Sequence, residues 1–188
     1  WMQTISTGIQ THDAFIFVIS PDSLKSEICR DELELAIKFN KKLIPVIHRE
    51  PAKSQAMHEK LASTNWVYMR KDDNFDETLP KLIDSIQTDL EWVSTHTQLL
   101  NLAMEWERRD RNNSYLLQGT GLEEAEKWMA EAANQEKRQV LPLQAEFIRA
   151  SRQSAVRRQR VLLAGVSAAL VVSVVLGILA LLARNDAE

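Results

Sequence analysis

Val161 to Ala183 is a run of 23 residues without one charged side chain. At about 1.5 Å of rise per residue, a helix of that length crosses a hydrocarbon core about 30 Å thick. The run reads as one membrane-spanning helix, because nothing in the preceding chain looks able to wrap every face of it as a soluble core helix requires. Its flanks differ. Arg149, Arg152, Arg157, Arg158 and Arg160 crowd the N-terminal side without an acid among them, whereas Arg184, Asp186 and Glu188 follow it. That bias is expected to set 161–183 in a lipid bilayer and to hold the basic segment 149–160, with everything before it, in the cytoplasm. Residues 184–188 then begin an extracytoplasmic segment.

The same boundary divides the charge. Residues 149–188 carry a net +4, so the formal −3 of the 188-residue chain leaves −7 on residues 1–148. An acidic body of that kind argues against a nucleic-acid partner. The composition, 45% hydrophobic and 26% charged, is ordinary for one globular domain with appendages. Cys29 is the only cysteine, which rules out an internal disulfide and fits a reducing compartment. With His12, His48, His58 and His96 scattered, no zinc site of known spacing can be assembled, and no metal is expected.

Residues Trp1 to Asp13 place Met2, Ile5 and Ile9 at helical spacing with no start signal before them, so the chain reads as entering a helix part-way, without a secretory leader. Ala14 to Ser20, AFIFVIS, is an unbroken apolar, β-branched and aromatic run of the kind found in an interior parallel strand covered on both faces. Ser20, Pro21, Asp22 and Ser23 supply a turn and a helix cap, and a helix is expected to about Asn40. Lys42 to Ile47 is a second strand, and Pro45 within it suggests an edge or a strand end. A short helix around Ser54 to Ala62, a third strand from Asn65 to Met69, and a long helix marked by Phe75, Leu79, Leu82, Ile83, Ile86 and Leu90 complete the order β-α-β-α-β-α. That order implies a parallel, doubly wound α/β sheet. Residues 91–148 read as a helical region interrupted at Asn112-Asn113 and at Gly119-Thr120-Gly121, with tryptophans as core anchors. The two glycines follow no strand and do not make a dinucleotide loop.

One acid in the first long helix needs an explanation. With Glu32 at 0°, Ile28, Leu35, Ala36, Cys29 and Leu33 fall at roughly −40°, −60°, +40°, +60° and +100°, so Glu32 projects from an apolar stripe. Glu27, Asp31 and Glu34 fall on or near the polar arc. An ionised carboxylate in an apolar surface is costly unless something pairs with it, so such acids are kept for partners or for chemistry.

The stretch FIFVISPDSLKSEICRDELELAIKFNKKLIPVI resembles a Toll/interleukin-1 receptor (TIR) domain of the bacterial kind. The resemblance lies in a strand ending in Ser-Pro, a serine-rich turn, the pattern S-x-x-C-x-x-E-L-x-x-A filled by Ser26, Cys29, Glu32, Leu33 and Ala36, and a Lys-x-Ile-Pro-Val strand. It spans about residues 1–90 and implies a partial flavodoxin-like parallel sheet. The helical region 91–148, LQAEFIRASRQSAVRRQR and the membrane segment are similar to the part of bacterial membrane proteins that joins a TIR domain to a WD-repeat propeller.

In TIR domains that cleave NAD+, the glutamate of this motif is catalytic, so the resemblance gives Glu32 that role. Its carboxylate would stabilise the positive charge that develops on the ribose as the N-glycosidic bond to nicotinamide breaks. Ser20, Asp22, Ser23 and Cys29 are the accompanying candidates for contact with NAD+, which enters as a substrate and not as a cofactor. The residues alone leave a second reading of Glu32 open, a helix-edge acid paired with a lysine or arginine from a segment before Trp1. The chain has Ile28 where the family often has an aromatic, and it lacks the family's first strand, first helix and the loop after the second strand that helps close the site. On that basis these 188 residues alone are not expected to be active. The family also implies other TIR domains as partners, and a non-enzymatic, membrane-tethered scaffold is the alternative function. In the membrane segment, Gly165, Ala169, Ser173 and Gly177 recur every four residues as a ridge suited to close helix packing.

Overall fold

The computed structural model describes residues 2–52, 54–135 and 138–185, excluding the side chains of Met2 and of 178–185. The expected start at Trp1 and most of the extracytoplasmic segment, residues 186–188, lie outside that set. Elements follow in the order α1 (Met2–Thr11), β1 (Ala14–Ile19), α2 (Glu27–Lys38), β2 (Lys42–Ile47), α3 (Glu59–Ala62), β3 (Val67–Tyr68), α4 (Phe75–Gln87), α5 (Leu90–Arg108), α6 (Gly119–Ala133) and α7 (Pro142–Asn185). The strands form one parallel sheet in the order β1-β2-β3, with Ile16 opposite Ile44, Phe17 opposite Pro45 and Val46 opposite Val67. On one face Phe17, Ile19 and Ile47 pack with Leu33 of α2 and Leu61 of α3. On the other face Ile44, Val46 and Val67 pack with Leu82 and Ile86 of α4.

Several local expectations are corrected. β1 is an edge strand, and Ile16 and Val18 are 43% and 51% exposed because α4 covers only the β2 and β3 side of their face. β2, which Pro45 had suggested as an edge, is the central strand. The N–H groups of Lys42 and His48 point to β1, at the Asp13 and Ile19 carbonyls, while the Ile47 carbonyl accepts from Met69 beyond β3. Residues of the parity of Pro45 therefore face β3, and the β3 ladder starts only at Val46, so the missing donor costs no ladder bond. The helix expected from Ser54 shrinks to Glu59–Ala62, with His58 accepting from Lys60 N–H at its start. The third strand contracts to two residues. The helix expected to reach Leu90 ends at Gln87, since Thr88 turns extended with a ψ of 130°, Asp89 takes a left-handed φ of 54°, and Leu90 opens α5.

The remaining helices make a second core. Leu99, Leu122, Ala125, Trp128 and Ile148 cluster, and beside them Ala103, Trp106, Leu116 and Phe147. Trp92 and Trp128 stack with ring centroids 5.1 Å apart, and Trp128 is buried in this core. Gly119 opens α6 at a φ of 53°, a conformation that an L side chain rarely adopts.

A buried polar junction ties this core to the sheet. His96 Nε2 lies 3.0 Å from the Phe39 carbonyl at the end of α2, and Gln144 of α7 sits against the other face of the histidine. Lys41 Nζ donates to Thr97 Oγ1 at 3.1 Å, and Asn40 Nδ2 donates to the Gln139 carbonyl at 2.9 Å. From this junction α7 continues without a break. Phe147, Ile148 and Ser151 are fully buried, whereas the large apolar residues from Val161 to Leu176 are about half exposed or more. The basic and apolar segments separated in the sequence thus belong to one helix, long and apolar enough over Pro142–Gly177 to cross a membrane.

Candidate functional site

Parallel strands deliver their following loops to one edge of the sheet, where folds of this class bind ligands. After β1, Ser20 and Ser23 lock each other. Ser20 N–H donates to Ser23 Oγ at 2.9 Å, Ser23 N–H donates to Ser20 Oγ at 3.1 Å, and Ser23 Oγ donates to the Ser20 carbonyl at 3.1 Å. The structure brings these two candidates together, and it employs both hydroxyls in the turn. The turn leads into a single 3₁₀ turn at Ser23–Lys25, so the cap of α2 is Ser26, whose Oγ accepts from Cys29 N–H at 3.3 Å, and not the expected Ser20–Ser23 segment. Cys29 is half-buried against the sheet core.

Glu32 stands one turn further along α2. The buried side of the helix is made by Cys29, Leu33, Ala36 and Ile37, while Ile28 is 45% exposed. The buried face is therefore centred roughly 80° from Glu32, which lies at the margin of the stripe and not within it. The residue is half-buried, and its carboxylate makes no hydrogen bond or ion pair with the described residues. The neighbouring Glu34 differs, with His58 Nε2 3.4 Å from its Oε1.

A chain of charges crosses the loops after all three strands. Arg49 Nη2 donates to Asp22 Oδ2 at 2.5 Å. Glu50, next in sequence, accepts from Arg70 Nη1 at 2.9 Å, and Arg70 forks onto Asp73 through Nε and Nη2, each at 3.0 Å. Those hydrogen bonds from Arg70 hold the Asp73 carboxyl below the usual carboxylate range. The Arg70 guanidinium also lies 5.1 Å from the centre of the Tyr68 ring. A groove of about 520 Å³ runs beside it, lined by Tyr68, Arg70, Asp73, Thr78 and Lys81. Sequence reasoning found Asp22 and missed Arg49, Glu50, Arg70 and Asp73. A signal was present, since each arginine follows the last residue of its strand, Ile47 or Tyr68, by two positions. Both arginines are neutralised by carboxylates, so the edge offers an anionic ligand no positive surplus from this pair. Among the described residues, no cluster of histidine, cysteine and acids could hold a metal ion.

Residues 1–83 match the family model of the TIR domain. This segment is a TIR domain. The comparisons with curated proteins and with solved structures found no match. The TIR match ends at Ile83 inside α4, so α5, α6 and α7 lie outside the matched segment, and α5 contacts it through the Phe39–His96 junction.

Proposed function

We propose that the chain is a membrane-anchored signalling protein whose TIR domain acts by contact with TIR domains of other copies. TIR domains are interaction modules, and this one is joined by continuous packing to a helix of membrane-crossing length. The observation that carries the reading is α7 itself, whose buried first turns belong to the folded body while its apolar turns from Val161 to Leu176 are covered by none of the described residues. In this reading the basic segment faces the cytoplasm with the TIR domain, and the Gly165, Ala169, Ser173, Gly177 ridge holds two anchors together. A Cβ built at Gly165 or Gly177 meets nothing within 4 Å, so among the described residues nothing obstructs the ridge at these two positions. The test is site-directed cross-linking of TIR surfaces at increasing density of the full chain in vesicles. Cross-linking that is indifferent to density would remove the self-association reading.

The second reading, cleavage of NAD+, is favoured by one feature, the half-buried residue Glu32, whose carboxylate is left without a partner among the described residues. In that reaction nicotinamide would leave with the electrons of the glycosidic bond, Glu32 would face the positive charge left on the ribose, and water would add to that carbon and release a proton to solvent. The measurement is nicotinamide release from NAD+ by the clustered chain. Release equal in wild type and Glu32→Gln would leave the scaffold reading alone.

A further inference from the structure

The arginines before the apolar run are not equivalent. Arg152 Nε donates to Glu126 Oε1 at 2.6 Å and so joins α7 to α6. Arg157, Arg158 and Arg160 are exposed and form no ion pair with the described residues; Arg158 reaches only Ser154 Oγ of its own helix, at 3.3 Å. They lie just beyond Ala155, which still packs against the helical core, and just before Val161, which is 71% exposed and begins the apolar surface. At about 100° and 1.5 Å per residue, the three guanidinium groups fall within an arc of about 160° and a rise of about 4.5 Å.

Guanidinium matches phosphate oxygens bidentately, and arginine stems lie along apolar surface while their heads stay in water. We infer that Arg157, Arg158 and Arg160 form a binding site for the phosphate of anionic phospholipids where α7 leaves the folded body. The inference rests on the membrane-anchored reading. Lipid is the source chosen over free phosphate because the site is continuous on one side with bare apolar helix that acyl chains would cover. Residues 91–148 carry a net −4, so without this collar the bundle next to the membrane would be repelled by an anionic surface.

The test uses the full chain in nonionic detergent, titrated with phosphatidylglycerol or phosphatidylcholine and read by native mass spectrometry. The wild type should retain phosphatidylglycerol preferentially. Replacing all three arginines by glutamine should weaken that retention on the order of 100-fold, at about fivefold per arginine near an anionic headgroup layer. Arg149→Gln, two turns back along α7, should leave it unchanged. Equal retention of the two lipids, an unaffected triple variant, or displacement of phosphatidylglycerol by millimolar inorganic phosphate would each overturn the lipid site. Extraction of the wild type from membranes by alkaline carbonate is the separate failure of the anchored reading, whereas a resistant chain without lipid preference fails only here.

Discussion

Gln144 on α7 and His96 on α5, 48 residues apart, meet in the core with Gln144 Nε2 3.3 Å from His96 Nδ1 and 2.8 Å from the His96 carbonyl. Gln144 Oε1 accepts from Leu141 N–H at 2.9 Å, so its amide is the donor at the histidine. That leaves Nδ1 as the acceptor and puts the proton on Nε2, which donates to the Phe39 carbonyl. The arrangement suits neutral imidazole. Burial pushes the His96 pKa below its usual 6.5, with the nearby Lys41 acting the same way and the Phe39 carbonyl and Asp13 opposing it.

A group whose pKa is lowered on folding contributes stability above its unfolded value and loses it as pH falls through that value and below. The chain should therefore lose thermal stability as pH drops from 7 towards 5, beginning near 6.5. His96→Gln should lower stability at pH 7 by about 1 to 3 kcal/mol, the cost of leaving buried partners unpaired. It should also flatten the acid-side dependence, as checked by melting in detergent across that range. An unchanged acid limb in the variant would count against His96 as its source.

Lys41 gives the opposite limb. Its burial lowers the pKa to about 8, with Asp13 opposing. Between that value and 10.5 the unfolded chain binds the extra proton, so this group makes stability rise with pH across the interval. Lys41→Met should abolish that rise, and titration of the melting temperature from pH 7 to 10 measures it.

Phe147 is fully buried on α7 and lies 5.6 Å from Trp106, ring centre to ring centre. Phe147→Ala should destabilise the body by about 3 to 5 kcal/mol, the usual cost of emptying an aromatic site in a core. Denaturant titration of tryptophan fluorescence reads the loss.

The membrane ridge predicts a difference between faces of one helix. Ala169→Ile together with Ser173→Ile should weaken association of the full chain in a bacterial membrane two-hybrid assay, while Val171→Ile, on the opposite side, should not. Equal signals would leave the helix as a passive anchor.

Orientation is tested with a single cysteine. Lys127 is exposed on α6, and in a Cys29→Ala background Lys127→Cys should resist an impermeant thiol reagent until the membrane is opened. Labelling in intact cells would place the body on the other side.

The α/β class, the parallel order of strands and the bounds of β2 were all legible, because a run such as Lys42 to Ile47 states its own burial. What neighbours a strand is not written in it. Phe15, Phe17 and Ile19 look the same in sequence as Ile16 and Val18, yet only the first set is covered. The break between α4 and α5 was hidden because apolar spacing runs on from Ile86 to Leu90, whereas the helix is interrupted by the backbone at Thr88 (ψ 130°) and Asp89 (φ 54°). His96 read as an ordinary histidine since its partners lie 57 and 48 residues away. Arg49 and Arg70 looked like solubilising loop charges, and only the shared sheet edge reveals them as links in one chain. Glu32 was singled out by periodicity, but the stripe was drawn too wide, because Ile28 faces solvent despite its apolar side chain.

The unbroken course of α7 has a mechanical meaning. A helix of 44 residues is a shaft about 66 Å long. A glycine-rich tether would let a domain wander through a hemisphere above its anchor; in the anchored reading this shaft would leave no slack between Gln144, clasped in the body, and a bilayer. Two copies seated in one membrane would meet at a common height with their TIR domains already upright. Their search would shrink to sliding in a plane and turning about the membrane normal, and a rotation of the anchor would be felt at His96 through Gln144.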